Sequence, residues 1–129
     1  MNTYRKERVV RKGDLDDLNH VNNVRYLEWV QEISGEHWDQ LARPEWKSAY
    51  RWVVRSHQIT YHRPALLGQV LQLSTYVPQT RGPLSIRQVD IRLGESGEKI
   101  AECRTEWVLL DAARGRPVRI PVAMQQVFD

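Results

Sequence analysis

Helical periodicity occurs once in this sequence, and what surrounds it reads as strand, which limits the fold to one long helix against an antiparallel sheet. From Asn23 to Ala42 the positions Tyr26, Leu27, Val30, Ile33, His37, Trp38 and Leu41 recur three and four residues apart, the spacing that lays one stripe along an α-helix. Pro44 cannot continue that helix and ends it. Gly35 sits in the middle; a glycine there costs helix stability, so close packing against a sheet is expected at that point. Tyr4 to Arg11 reads as a strand before the helix. Arg51 to Tyr61, Gln69 to Val77, Leu84 to Leu93 and Lys99 to Leu110 read as strands after it, with nothing helical beyond Pro44. Alternation puts Leu71, Leu73, Thr75 and Val77 on one face of their strand, and Ala101, Cys103, Thr105, Trp107 and Leu109 on one face of theirs. Between Ile86 and Val89 the alternation changes parity, which places a bulge near Arg87 and Gln88. Turn residues stand at Gly82-Pro83, Gly94 to Gly97 and Ala113 to Pro117.

The 129 residues suffice for one domain, spanning 1–129, with a single core. Apolar content of 41% and five tryptophans fit a folded globular chain. The first residues lack the apolar run of a secretory signal, no stretch approaches membrane-spanning length, and Cys103 has no second cysteine to pair with. These features point to the cytoplasm and away from a membrane. Fifteen arginines stand against four lysines, for a net charge of +3. They are scattered, and no basic helix, zinc spacing or aromatic RNA-binding motif accompanies them, so a nucleic-acid partner is not expected. Arginine forks do suit a phosphate-bearing small ligand.

Chemistry concentrates in D-L-D-D-L-N-H-V-N-N-V-R-Y-L-E-W, from Asp14 to Trp29. Three carboxylates, His20 and the cap-suited Asn22 and Asn23 stand directly before the helix. A helix N-terminus offers unpaired N–H groups and a positive dipole end, which stabilise a developing oxyanion. A carboxylate beside such a site attacks a carbonyl or activates the water that does. The string therefore points to acyl transfer to water, although Asp and Asn there serve equally well as caps. His20 is open between hydrogen-bonding a substrate, orienting Asp16 and bracing the loop. The four histidines form no metal spacing with Cys103 or the acids, and neither H-E-x-x-H nor G-x-S-x-G occurs. No metal or redox cofactor is expected.

The same string resembles the opening motif of the hotdog-fold acyl thioesterases, the family of 4-hydroxybenzoyl-CoA thioesterase, bacterial acyl-CoA thioesterases and plant acyl-ACP thioesterases. There an Asp, four residues and V-N-N-x-x-Y-L precede a central helix; Asp16, Val21, Asn22, Asn23, Tyr26 and Leu27 match. Ile59 to Leu71 and R-P-V-R-I-P, Arg116 to Pro121, resemble two later blocks. The resemblance implies an α+β hotdog fold, a long central helix wrapped by an antiparallel sheet of about five strands. It implies Asp16 as catalytic carboxylate, with His20 and the backbone N–H near Asn23 completing the site, and Asn22, Tyr26 and Trp29, with Trp52, toward the substrate. Asp14 and Asp17 fall out of register. The implied substrate is acyl-CoA, with acyl-ACP or a non-catalytic acyl-CoA-binding role as alternatives, in a homodimer or homotetramer with sites at the interface. Leu18 stands where plant acyl-ACP enzymes carry Asn, and Pro64 where they carry an acid. Asn19 replaces a glycine of many bacterial relatives and tolerates left-handed backbone.

Overall fold

A computed structural model describes residues 1–129. Strand β1 (Tyr4–Val9) leads through a loop and a 3₁₀ turn at Lys12–Asp14 into helix α1 (Asn23–Leu41). A short helix α2 (Pro44–Ala49) precedes strands β2 (Tyr50–Tyr61), β3 (Val70–Arg81), β4 (Leu84–Leu93) and β5 (Lys99–Asp111), and helix α3 (Val122–Val127) closes the chain. All strand pairs are antiparallel, in the order β1-β3-β4-β5-β2. Strands β1 and β2 are thus the two edges, and α1, which connects them, must cross the sheet. This is the hotdog arrangement that the resemblance implies.

The crossing explains which helix positions are apolar. Helix α1 buries Tyr26, Trp29, Val30, Ile33, Ser34 and His37. The sheet answers with Leu71, Leu73, Val89, Ile91, Ala101 and Cys103, at most 1% exposed, in one core cluster with Tyr26, Trp29, Val30 and Ile33. A smaller cluster of Trp46, Val77, Leu109, Ile120, Met124 and Phe128 packs under α2 and α3. No helix is long and apolar enough to cross a membrane.

Four expectations need correction. Pro44 does not only end α1; it occupies the first turn of α2, where its fixed φ and missing N–H suit a helix start. Helix α3 also falls in the region read as strand and turn, because six residues are too few to show a helical period. The bulge lies across the ladder from Arg87. Strand β4 pairs with β5 in unbroken register from Leu84 to Ile91, while β3 shifts between Tyr76 and Gln79, setting Val77 and Pro78 opposite Arg87. Proline, with no ladder N–H to give, suits that position. The apparent parity change is a buried arginine at an inward position: Ser85, Arg87, Val89 and Ile91 share the helix-facing side and are all buried. Gly35, finally, packs against nothing. It is exposed, and a Cβ there would meet no atom within 4 Å.

Candidate active site

The loop before α1 is built by its carboxylates. Asp14, 9% exposed, accepts from the Arg11 N–H at 2.8 Å and pairs with Arg25 Nε at 3.1 Å. Its carbonyl also accepts the Asn22 N–H at 2.8 Å. Asp14 therefore ties the loop to the helix and has no capacity left for chemistry. Asp16 forms the turn that follows. Its N–H donates to the His20 carbonyl at 2.7 Å and its carbonyl accepts the Asn19 N–H at 3.1 Å. This requires Asn19 at φ 62°, the left-handed geometry anticipated for that residue. The Asp16 side chain accepts two backbone N–H groups through Oδ1 alone, Leu18 at 2.9 Å and His20 at 3.2 Å. Those bonds fix the carboxylate's direction and leave Oδ2 without a partner in the chain.

Helix α1 leaves its first N–H without an acceptor. The Asn22 side chain accepts the Val24 N–H at 3.1 Å and the Asn22 carbonyl accepts the Arg25 N–H at 2.8 Å. The Asn23 N–H, first in the helix, has no acceptor in the loop. Val21 and His20 dock on the β2–β3 connection through the Ala65 carbonyl, at 3.0 Å, and a bridge to Leu66. That docking closes a cleft whose walls include Asp16, His20, Asn23, Tyr26, Tyr61 and Pro64. Asp16 is the only carboxylate in those walls.

Tyr26 spans wall and core. Its hydroxyl oxygen accepts the Ala65 N–H at 3.1 Å, and burial pushes its phenol above the ordinary tyrosine range, so it keeps its proton at neutral pH. Burial raises the Tyr61 phenol as well; its hydroxyl lies 3.5 Å from the Asn23 carbonyl. Among the remaining sequence candidates, Asn22 caps the helix and lies outside the cleft walls. Trp29 is also outside. It is 2% exposed in the core, edge-on to Tyr26, with the Arg8 guanidinium 4.9 Å over its ring. The His20 ring makes no hydrogen bond; its contact with Asp16 runs through the backbone. Leu18 likewise serves through its N–H while its side chain is 73% exposed, so the departure from the plant loop leaves the carboxylate's anchor intact.

Sequence reading missed Tyr61, His62 and Arg63, which line the far wall. His62 meets Glu102 at 2.8 Å, and Arg63 pairs with Glu98. The signal available was Y-H-R-P at a strand end, inside a block already recognised.

A sequence model of the acyl-ACP thioesterase N-terminal domain matches residues 1–128. The chain belongs to the acyl-ACP thioesterase family. This thioesterase is 34% identical over 107 residues to the long-chain acyl-CoA thioesterase FadM of Escherichia coli (strain K12), covering 79% of each protein. Its fold superposes on the probable thioesterase YbaW from Escherichia coli with a TM-score of 0.84 at 27% identity, covering 95% of this chain and 94% of that one. A Thermus thermophilus thioesterase complexed with coenzyme A and Zn gives a TM-score of 0.83 at 24% identity, over 96% of this chain and 90% of that one. At that identity the likeness speaks for the fold alone. Members of this kind hydrolyse thioesters, and the thioesterase is a hydrolase of that class.

Proposed function

We propose that the protein hydrolyses acyl-CoA thioesters, with Asp16 as the acting carboxylate and the Asn23 N–H as the oxyanion donor. One observation carries the reading: a carboxylate with a free oxygen and the residue that bears the unpaired first N–H of α1 line one cleft. With the thioester carbonyl oxygen on the Asn23 N–H, water attacks the carbonyl carbon as Asp16 Oδ2 takes its proton. Alternatively Oδ2 attacks directly, and water then cleaves the resulting anhydride. In either route negative charge gathers on the carbonyl oxygen, where the N–H and the dipole of a 19-residue helix stabilise it. The thiol leaves with a proton, and the free acid remains.

The name of FadM supports coenzyme A as carrier. The family description favours acyl-ACP as the second reading, but Leu18 and Pro64 break the plant acyl-ACP pattern. A homodimer or homotetramer fits the sheet. Strand β2 is an edge of 12 residues whose end runs into the cleft wall at Tyr61, so a second copy pairing there would border the site.

The test is Asp16→Asn against a panel of acyl-CoA and acyl-ACP thioesters. Turnover should fall roughly 10²- to 10⁴-fold, mostly in kcat, with the fold intact. Asp17→Asn should stay within a few-fold of wild type. Loss in Asp17→Asn and not in Asp16→Asn would mean that the wrong carboxylate has been chosen. Single turnover in isotope-labelled water separates base from nucleophile.

A further inference from the structure

A second cavity, of about 100 Å³, lies toward the other end of α1. Trp38, Trp52, Trp107 and Phe128 give it aromatic walls, and Ser85 and Arg87 its polar ones. Gly35 also lines it, and the side chain that Gly35 lacks leaves that rim open. Arg87 is 4% exposed. Its Nη1 donates to His37 Nδ1 at 2.8 Å and Thr75 Oγ1 at 3.0 Å. Both partners are uncharged, and no carboxylate of the chain pairs with Arg87. Its Nε and Nη2 make no hydrogen bond, yet neither is sealed from the cavity. Burial lowers the guanidinium pKa to about 10, which still leaves it charged at neutral pH. A buried cation without a counter-charge is costly. The Ser85 hydroxyl is likewise unpartnered, and the buried Trp107 indole N–H has no acceptor.

A line of side-chain contacts forms the seam between helix α1 and strand β2, with the cleft at one end and this cavity at the other. Tyr61 lies 3.5 Å from the Asn23 carbonyl at one end, Gln31 lies 3.4 Å from His57 midway, and the Trp38 and Trp52 rings are 5.6 Å apart at the other. From Asn23 to Ser34 the helix rises about 17 Å. An acyl group whose carbonyl sits on the Asn23 N–H and whose chain follows the seam brings its far end to Arg87.

We propose that the cavity receives a carboxylate at the distal end of the acyl group, so that the thioesterase acts on ω-carboxyacyl thioesters, the monothioesters of dicarboxylic acids. The free Nε and Nη2 donors form the parallel fork that fits both oxygens of a carboxylate. The tryptophans enclose the last methylenes, and the ligand supplies the negative charge that the chain withholds. This inference rests on the hydrolysis reading for the position of the carbonyl.

Three of the five tryptophans line the cavity, so ligand binding can be followed by their fluorescence without turnover. Wild-type protein is titrated with monomethyl esters of α,ω-dicarboxylic acids over a range of lengths, and with the corresponding dimethyl esters. The carboxylate-bearing ester should bind about tenfold to a hundredfold tighter at its best length, the scale of a buried charge-assisted bond. That preference should vanish in Arg87→Met and survive in part in Arg87→Lys. Equal binding of the two ester series to wild type would overturn the proposal even if Arg87→Met fails to fold, as would a preference that outlasts Arg87→Met. Turnover of ω-carboxyacyl-CoA against its methyl-ended counterpart completes the test. If neither thioester is cleaved while the ester preference holds, the hydrolysis reading fails and the carboxylate site stands.

Discussion

Acidification should loosen this fold through the His37 imidazole. His37 is fully buried, at 0% exposure. Arginine has only donors, so His37 Nδ1 must accept from Arg87, and the ring proton sits on Nε2, donating to Asn2 Oδ1 at 2.8 Å. Tyr4 stacks on the ring at 5.7 Å. Protonation at Nδ1 would break the Arg87 bond and set a second cation beside the first. Burial, and then the Arg87 charge, accordingly hold the His37 pKa down from 6.5 to about 4. A depressed pKa means that the unfolded chain takes up the proton first. Stability from the neutral ring is therefore complete above about pH 6.5 and is lost as the pH falls toward 4. At pH 5 the unfolded imidazole is almost wholly protonated and the folded one almost wholly neutral, a loss of about 2 kcal/mol, growing to about 3 kcal/mol at pH 4. Urea unfolding of wild type and His37→Gln at pH 7 and pH 5, at one protein concentration, measures this directly. The variant should be weaker at pH 7, but its drop between the two pH values should be smaller than that of wild type by about 2 kcal/mol. Parallel drops would refute the reasoning, because every other titrating group is common to both proteins.

Gly35→Ala should raise stability by up to about 1 kcal/mol, since a Cβ there meets nothing and alanine is the better helix former; an unchanged or lower melting temperature would contradict the open geometry. Light scattering at micromolar concentration should give a multiple of 15.2 kDa. A monomer alone would remove the edge-pairing proposal.

The sequence carried the order of elements well, because one helical stripe and five strand-like segments leave few arrangements open. Strand β4 runs from Leu84 to Leu93 as read, and α1 ends one residue before its expected limit. The loop was legible for a different reason. Asp16, Asn19 and Asn22 act through local turns and caps, and local chemistry is written in adjacent residues. What failed was tertiary. Arg87 meets His37 and Thr75 only once β4 pairs with β3 under α1, so its charge in an alternating strand looked like a broken register. Gly35 was read as a contact because glycine in a helix usually signals one, whereas here the space beyond it is open. Trp29 belongs to the apolar stripe and stays in the core, a role no motif distinguishes from contact with substrate.

The way Asp16 is held has a consequence for how such a loop can drift. Backbone N–H groups of residues 18 and 20 aim the carboxylate, and every amino acid but proline supplies an N–H. Residues 17 and 18, both exposed, are thereby released from the chemistry, while position 19 must only tolerate a left-handed turn. Leu18 and its neighbours form an outward rim that mutation can rewrite without re-aiming the Asp16 carboxylate.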